Sequence, residues 1–266
     1  MINKEYYAGF YDVLYGFRNC RISSFLAFSD IRQRYRRSSL GPFWITISTG
    51  VMIACIGLIF GGLFKSPMSE FLPFLTVGLI VWGLISSTII EATTVFVNSE
   101  SIIKQLPLPL FMHILRMIFR NIYIFCHNFV IFPLVCLIFK FPFNLNFFLF
   151  FPGLIVLILN LIWLSLFLGI ICSRFRDLTQ IVNSLLQVIF YVTPIIWLPS
   201  LLPARAKIMI LDWNPFYHLI EIVRAPLLGT TPTTMNWIFS FIFLFCGSCV
   251  SIKLFNKYRD RIAYWL

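Results

Sequence analysis

The chain alternates long apolar blocks with short polar, basic or proline-bearing stretches. Each block is about 20 residues long, enough for a helix rising 1.5 Å per residue to cross roughly 30 Å of hydrocarbon. Six spans are expected: about Phe43 to Phe64, Phe71 to Val97, Ile114 to Phe139, Phe147 to Cys172, Leu178 to Trp197 and Trp237 to Phe255. Lys65-Ser66-Pro67 ends the first, Pro107 and Pro109 stop any helix after the second, and Lys140-Phe141-Pro142 turns the chain after the third. The blocks are apolar on every face, whereas membrane β-strands alternate apolar and polar residues. The expected fold class is therefore all-α: a polytopic membrane helical bundle forming a single transmembrane domain over residues 1–266.

Two segments depart from this pattern. In residues 1–42, Tyr6, Tyr7, Phe10, Tyr11, Leu14 and Phe17 recur at helical spacing, and Phe25 to Arg37 reads as an amphipathic interface helix. Such a helix lies at the membrane surface with aromatics toward lipid and arginines toward headgroups; Ser39-Leu40-Gly41-Pro42 breaks it. Spans one to five follow over 43–197. Residues 198–234 then hold Pro199, Pro203, Pro215, Pro226 and Pro232, with charges at Arg205, Lys207, Asp212, Glu221 and Arg224. Their apolar stretches, Ile208–Leu211 and Phe216–Leu228, are too short to span, and fit short re-entrant helices whose polar backbone is covered by protein or water. The last span and tail occupy 235–266.

Composition agrees. The 266 residues are 59% hydrophobic and 12% charged, with a mean hydropathy of +0.89; a soluble domain carries about 25% charge. The net charge of +11 invites a nucleic-acid reading, but that needs basic residues gathered on one soluble face. Here they flank apolar blocks, so topology explains them. One side receives Lys4, Arg18, Arg21, Arg32, Arg34, Arg36, Arg37, Lys104, Arg116, Arg120, Arg174, Arg176, Lys253, Lys257, Arg259 and Arg261; the other receives only Lys65, Lys140, Arg205, Lys207 and Arg224. Both termini are expected in the cytoplasm. The first forty residues lack a short apolar leader core, so no cleavable signal peptide is expected.

No enzyme chemistry is visible. There is no G-x-x-x-x-G-K-[ST] loop to cradle phosphates and no H-E-x-x-H. His113, His127 and His218 are isolated, and Cys246-x-x-Cys249 sits inside an apolar block without a second ligand pair, so the cysteines read as small packing residues. Glu91 is the sole acid well inside a span. An intramembrane acid is a functional hypothesis by default, yet Glu91 has no evident partner in the sequence and lies near the end of its block, where it can reach water. Internal repeats of a secondary transporter and the filter or charge rings of a channel are both missing. The energy for transport must come from a partner or be absent.

The order of segments resembles the type-2 ABC exporter permeases, in the branch exporting O-antigen, capsular polysaccharide and teichoic acid (Wzm-, KpsM- and TagG-like proteins). The matching residues are Arg32-Gln33-Arg34-Tyr35-Arg36-Arg37-Ser38-Ser39-Leu40-Gly41-Pro42-Phe43-Trp44, Arg174-Phe175-Arg176-Asp177-Leu178 and Thr193-Pro194-Ile195-Ile196-Trp197. Asn214-Pro215-Phe216 with His218 and Arg224, and the tail Arg261-Ile262-Ala263-Tyr264-Trp265, complete the resemblance, which covers nearly the whole chain. The aromatic tail points to the O-antigen side of the branch. The resemblance implies a non-catalytic homodimer in a bacterial inner membrane, paired with two copies of a separate ATPase that binds ATP and magnesium; no cofactor belongs to this chain. It implies a polysaccharide on an undecaprenyl-pyrophosphate lipid, moved from cytoplasm to periplasm. It also implies a pore between protomers lined by spans one, two and five, which makes Phe43, Trp44, Trp82, Phe96, Phe190, Tyr191 and Trp197 candidate channel residues. Arg32, Arg34, Tyr35, Arg36, Arg37, Glu100, Lys104, Arg176 and Asp177 are candidates for coupling to the ATPase, with membrane headgroups as alternative partners of the arginines. Pro194, Asn214, Pro215 and Arg224 are candidates for a periplasmic gate. Capsule, teichoic acid, or a small amphiphile or drug are alternative cargoes on the same fold. A membrane glycosyltransferase would want an acidic cluster that Glu100 and Asp177 alone do not make, and an ion-coupled flippase would want more spans and more buried charge.

Overall fold

The computed structural model describes residues 8–34, 36, 41, 43–106, 108–140 and 144–266, and all regular structure among them is helical. The helices are α1 (Ala8–Arg18), α2 (Cys20–Arg34), α3 (Phe43–Phe64), α4 (Met68–Ala92), α5 (Glu100–Gln105), α6 (Leu110–Phe129), α7 (Ile131–Phe139), α8 (Phe150–Arg174), α9 (Leu178–Val192), α10 (Ala204–Ile210), α11 (Pro215–Leu227) and α12 (Thr234–Trp265). Five stretches are long and apolar enough to cross a membrane: α3, α4, α6 with α7, Leu145–Arg174, and α12. The chain is a helical, multi-pass membrane bundle.

The expected fifth span is shorter than its apolar run. At 15 residues, α9 is about 22 Å long. It stops because Thr193 precedes Pro194, and proline pushes the preceding residue into an extended conformation; Thr193 has φ −81° and ψ 134°. Hydropathy alone does not register that stop. Proline also marks the join of α6 and α7: Pro133 removes the amide that would bond to the Phe129 carbonyl, and the chain breaks at Val130. The last helix departs in the other direction, running unbroken into the basic tail.

The most buried span, α4, is central, packed against α3, α6, α7, α8, α9 and α11. Its Thr76 hydroxyl donates back to the Leu72 carbonyl at 2.7 Å, so the helix carries a hydroxyl through an apolar core without leaving it unbonded. Close helix contacts form where side chains are absent. A Cβ on Gly153 of α8 would lie 2.2 Å from the Ile222 carbonyl oxygen of α11, and one on Gly247 of α12 would meet the Trp163 indole at 2.3 Å. Small-residue contacts of this kind drive helix association where lipid removes the hydrophobic force. Between α8, α11 and α12 runs a buried polar line. Asn160 donates to the Ser240 carbonyl at 3.2 Å, Ser240 Oγ to the Asn236 carbonyl at 2.7 Å, and Asn236 Oδ1 lies 2.8 Å from His218 Nδ1.

The N-terminal segment is two helices, α1 and α2. Ser23, Ala27 and Ile31, one stripe at i, i+4 and i+8, are the buried side of α2, which packs on α6. Phe25 and Phe28 are exposed.

Candidate functional site

Charged groups concentrate where α1, α2, α5 and the start of α6 meet the end of α12. Asp12 of α1 is buried, and its two carboxylate oxygens accept from the Leu110 and Phe111 amides at 3.2 and 3.0 Å. Those are the orphan donors at the start of α6, where the helix dipole also favours an anion. The same carboxylate accepts from Arg259 Nε of α12 at 2.8 Å, and the Phe10 amide donates to Asn256 Oδ1 at 2.8 Å. One acid thus ties the first, middle and last thirds of the chain together.

A second network lies further along α6. Arg116 grips Asp30 of α2 with two donors, Nε at 2.7 Å and Nη2. Arg120 donates to Asp30 at 3.2 Å and to Glu91 of α4 at 2.8 Å, and Asn121 donates to Glu91 at 2.9 Å. The reading of Glu91 as an acid without a partner is therefore corrected: its partner sits one helix away. Two carboxylates and two guanidiniums, all largely buried, link α2 to α4 through α6. Beside them a cavity of about 120 Å³ is lined by Glu91, Asn98, Ser99, His113, Arg116 and Arg120. His113 Nε2 is buried there without a hydrogen-bond partner among the described residues.

The expected coupling residues border this end. Lys104 donates to Glu100 at 2.6 Å across one turn of α5. That bond, the ammonium charge and the more distant charge of Arg176 hold the Glu100 carboxyl below its ordinary range. Arg176 and Asp177 are exposed in the turn between α8 and α9. Asp177 occupies the N-cap of α9 without a side-chain cap bond, and no Arg176–Asp177 ion pair forms among the described residues. Arg174 lies over the Phe175 and Trp265 rings at 5.1 and 5.6 Å. Arg32, Arg34 and Arg36 are exposed at the end of α2; Tyr35 and Arg37 lie outside the described residues.

The candidate channel aromatics separate into two groups. Phe43, Trp44 and Tyr191 are 65%, 56% and 70% exposed, and Phe190 and Trp197 are half-buried. Trp82 and Phe96 are instead interior. Trp82 packs between Phe190 and Phe216 with ring centroids at 5.7 and 6.2 Å, and Phe96 is fully buried against Gly169. Their aromatic character serves packing within this chain in this conformation.

The candidate gate residues are brought together at the opposite end of α4. Arg224 of α11 is fully buried. It donates to Glu221 at 2.6 and 3.1 Å and to the Pro194 carbonyl at 2.6 Å. Its guanidinium lies 4.0 Å over the Phe74 ring, with Gly78 alongside. Asn214 caps α11 through the Phe216 and Tyr217 amides and donates to Thr193 at 2.9 Å. Pro215 is at the first position of α11, where its missing amide costs nothing. Arg224 thereby satisfies the carbonyl exposed where α9 stops.

Among the described residues no group of three or more His, Cys, Asp or Glu is arranged to hold a metal. This arrangement is a helical bundle whose ends are linked by buried charges. A family model described as ABC-2 type transporter matches residues 24–228. The chain belongs to the ABC-2 type transporter family. Curated relatives are of the same kind. An "O-antigen export system permease protein RfbA" of Klebsiella pneumoniae is 24% identical over 243 residues, covering 88% of this chain and 90% of that protein. A second Klebsiella pneumoniae protein of that name matches at 24% over 253 residues. One from Myxococcus xanthus matches at 24% over 217 residues, covering 80% and 81%. An ABC-2 chain of this kind is the membrane subunit of a transporter. The sequence missed both the Asp12 clamp and the network that links Asp30 to Arg116 and Arg120. The available signal was that Asp12 and Asp30 are the only acids between Glu5 and Glu70.

Proposed function

We propose that this ABC-2 transporter chain is the permease of an ATP-driven exporter that moves undecaprenyl-pyrophosphate-linked polysaccharide, of O-antigen type, from cytoplasm to periplasm across a bacterial inner membrane. The observation that carries this is the match to O-antigen export permeases over almost the full length of both proteins. ATP and magnesium are bound by a separate ABC ATPase, since this sequence has no phosphate-cradling loop. Residues 1–266 act as one transmembrane unit of six crossings, the fifth of which is α9 with the bent segment 193–197. α10 and α11 re-enter from the periplasmic side, and both termini are cytoplasmic. Two copies form the channel. A homodimer is supported by α9, of whose residues only Leu186 is buried, and by the exposed apolar flank of α3 at Val51, Leu58 and Leu63. Phe43, Trp44, Tyr191, Phe190 and Trp197 remain candidates to face the polymer, where ring faces stack on sugar C–H without fixing it. α5, the end of α2 and the Arg176–Asp177 turn take the thrust of the ATPase, and Asp30, Arg116, Arg120 and Glu91 pass it to α4. Pro194, Asn214, Pro215 and Arg224 form the gate.

Deleting the gene in its host, with complementation, tests the reading. Surface polysaccharide should disappear while lipid-linked polymer accumulates inside, reachable by a glycosidase only after the inner membrane is permeabilised. Unchanged surface polysaccharide would refute export of this cargo.

A further inference from the structure

A cavity of about 740 Å³ opens between α2 and α6, in the size range of small-molecule sites, about 300–1,000 Å³. It lies beside the start of α3, since the Phe43 ring meets the His127 ring edge-on at 6.2 Å. Its walls differ in character. Phe28 and Ile31 of α2 give an apolar side, and exposed Phe43 continues it toward the first span. Arg32, Gln33 and Arg36 give a polar rim, faced by Tyr123 and His127 of α6. The Tyr123 hydroxyl is already engaged with Ser24 Oγ at 2.6 Å. His127 Nδ1 donates to the Tyr123 carbonyl at 2.8 Å, which leaves Nε2 as an acceptor.

The charge on this rim is unbalanced. Among the described residues no acid lines the cavity, and neither Arg32 nor Arg36 makes an ion pair. The nearest carboxylate in sequence, Asp30, is consumed by Arg116 and Arg120. Two free guanidiniums beside an apolar wall, at the level where a span begins, suit an anion attached to a hydrocarbon. The planar donor fork of arginine matches phosphate oxygens in pairs.

We propose that this groove binds the phosphate or pyrophosphate ester of a lipid. The head group sits between Arg32 and Arg36, the Gln33 side-chain amide adds a hydrogen bond, and the hydrocarbon leaves along Phe28 and Phe43 into the bilayer. Under the export reading this is where the lipid end of the cargo docks, and that identification of the lipid rests on the export reading; the binding itself does not. The same chemistry is offered by a polyprenyl carrier and by an anionic phospholipid.

The test uses the full chain in phosphatidylcholine nanodiscs without any ATPase, at low ionic strength. Saturable binding of radiolabelled undecaprenyl pyrophosphate is measured in competition with phosphatidylglycerol and with inorganic pyrophosphate. The R32Q/R36Q variant should bind about 30-fold more weakly, because each basic residue near a membrane surface contributes about 1 kcal/mol toward an anionic lipid. R205Q/K207Q, at the other end of the bundle, should bind as the parent does. Both altered arginines are exposed, so the melting temperature should not move, and R32K/R36K should recover part of the affinity. Competition by phosphatidylglycerol assigns the groove to anionic lipids generally, and its failure to compete assigns the groove to the polyprenyl carrier; either supports a lipid-phosphate site. Parent-like binding by R32Q/R36Q, or inorganic pyrophosphate competing as well as the lipid, overturns it. If the host deletion leaves surface polysaccharide intact while binding behaves as expected, the export reading fails and the site stands. If export is confirmed and R32Q/R36Q binds like the parent, the site fails alone.

Discussion

Replacing Asp12 by alanine isolates the clamp that holds α1 on the bundle. The Asp12 side chain is 1% exposed and makes two charge-assisted bonds to the Leu110 and Phe111 amides. Bonds of this kind contribute about 1.5–3 kcal/mol each. The pair with Arg259, whose side chain is 33% exposed, adds at most about 1 kcal/mol after solvent screening. Asp12→Ala should therefore release α1 by about 3 kcal/mol, and Arg259→Ala by about 1 kcal/mol or less. Trypsin reads the difference. Arg18 is exposed at the end of α1 but is held in a helix, so cleavage there requires α1 to lift. When opening is fast relative to cleavage, the cutting rate follows the open population. Asp12→Ala should raise the rate at Arg18 by about a hundredfold in the solubilised, folded chain, against about fivefold or less for Arg259→Ala. Equal rates for Asp12→Ala and the parent, in a chain that keeps its melting temperature, would refute the clamp. Equal, large effects from both variants would move the strength from the α6 cap to the ion pair.

Three further outcomes are expected. Arg120→Ala should lower thermal stability by about 3 kcal/mol, because it strands Glu91 largely buried, and an Arg120→Ala/Glu91→Gln double variant should recover part of the loss; strict additivity of the two changes would show that they do not interact. Gly153→Ala should destabilise by about 1–3 kcal/mol, since the added methyl meets the Ile222 carbonyl at 2.2 Å, whereas Gly62→Ala, with nothing within 4 Å, should be silent in the same thermal-shift assay. Alanine at Phe43, Trp44 or Tyr191 should leave melting unchanged and reduce surface polysaccharide, while alanine at Trp82 or Phe96 should lower the melting temperature first; the reverse pattern would exchange the channel and core assignments.

Some of this protein can be read from one dimension. Helical membrane architecture follows from blocks of bilayer length that are apolar on all faces, because hydrocarbon permits only internally bonded backbone. The short, proline-punctuated stretch before the last span also announced itself, and α10 and α11 lie within it. The end of α9 was legible in principle, since proline acts on its own neighbour: Thr193-Pro194 marks a stop that averaging hydropathy over Leu178 to Trp197 conceals.

What only the tertiary structure decided are the pairings across distance. Glu91 looked solitary because its partner Arg120 is 29 residues away, and Asp12 and Arg259 are 247 apart; no local pattern encodes which helix an acid will face. In the sequence Arg224 counts among the outer-side charges and is a gate candidate, but only the fold shows it fully buried under Phe74 and bonded to the carbonyl left where α9 stops. Aromatic content likewise could not separate Trp82, packed between Phe190 and Phe216, from Trp44 on the open face of α3. Periodicity states which residues share a helix face. Whether that face meets protein, lipid or polymer is settled by the neighbours that the fold brings to it.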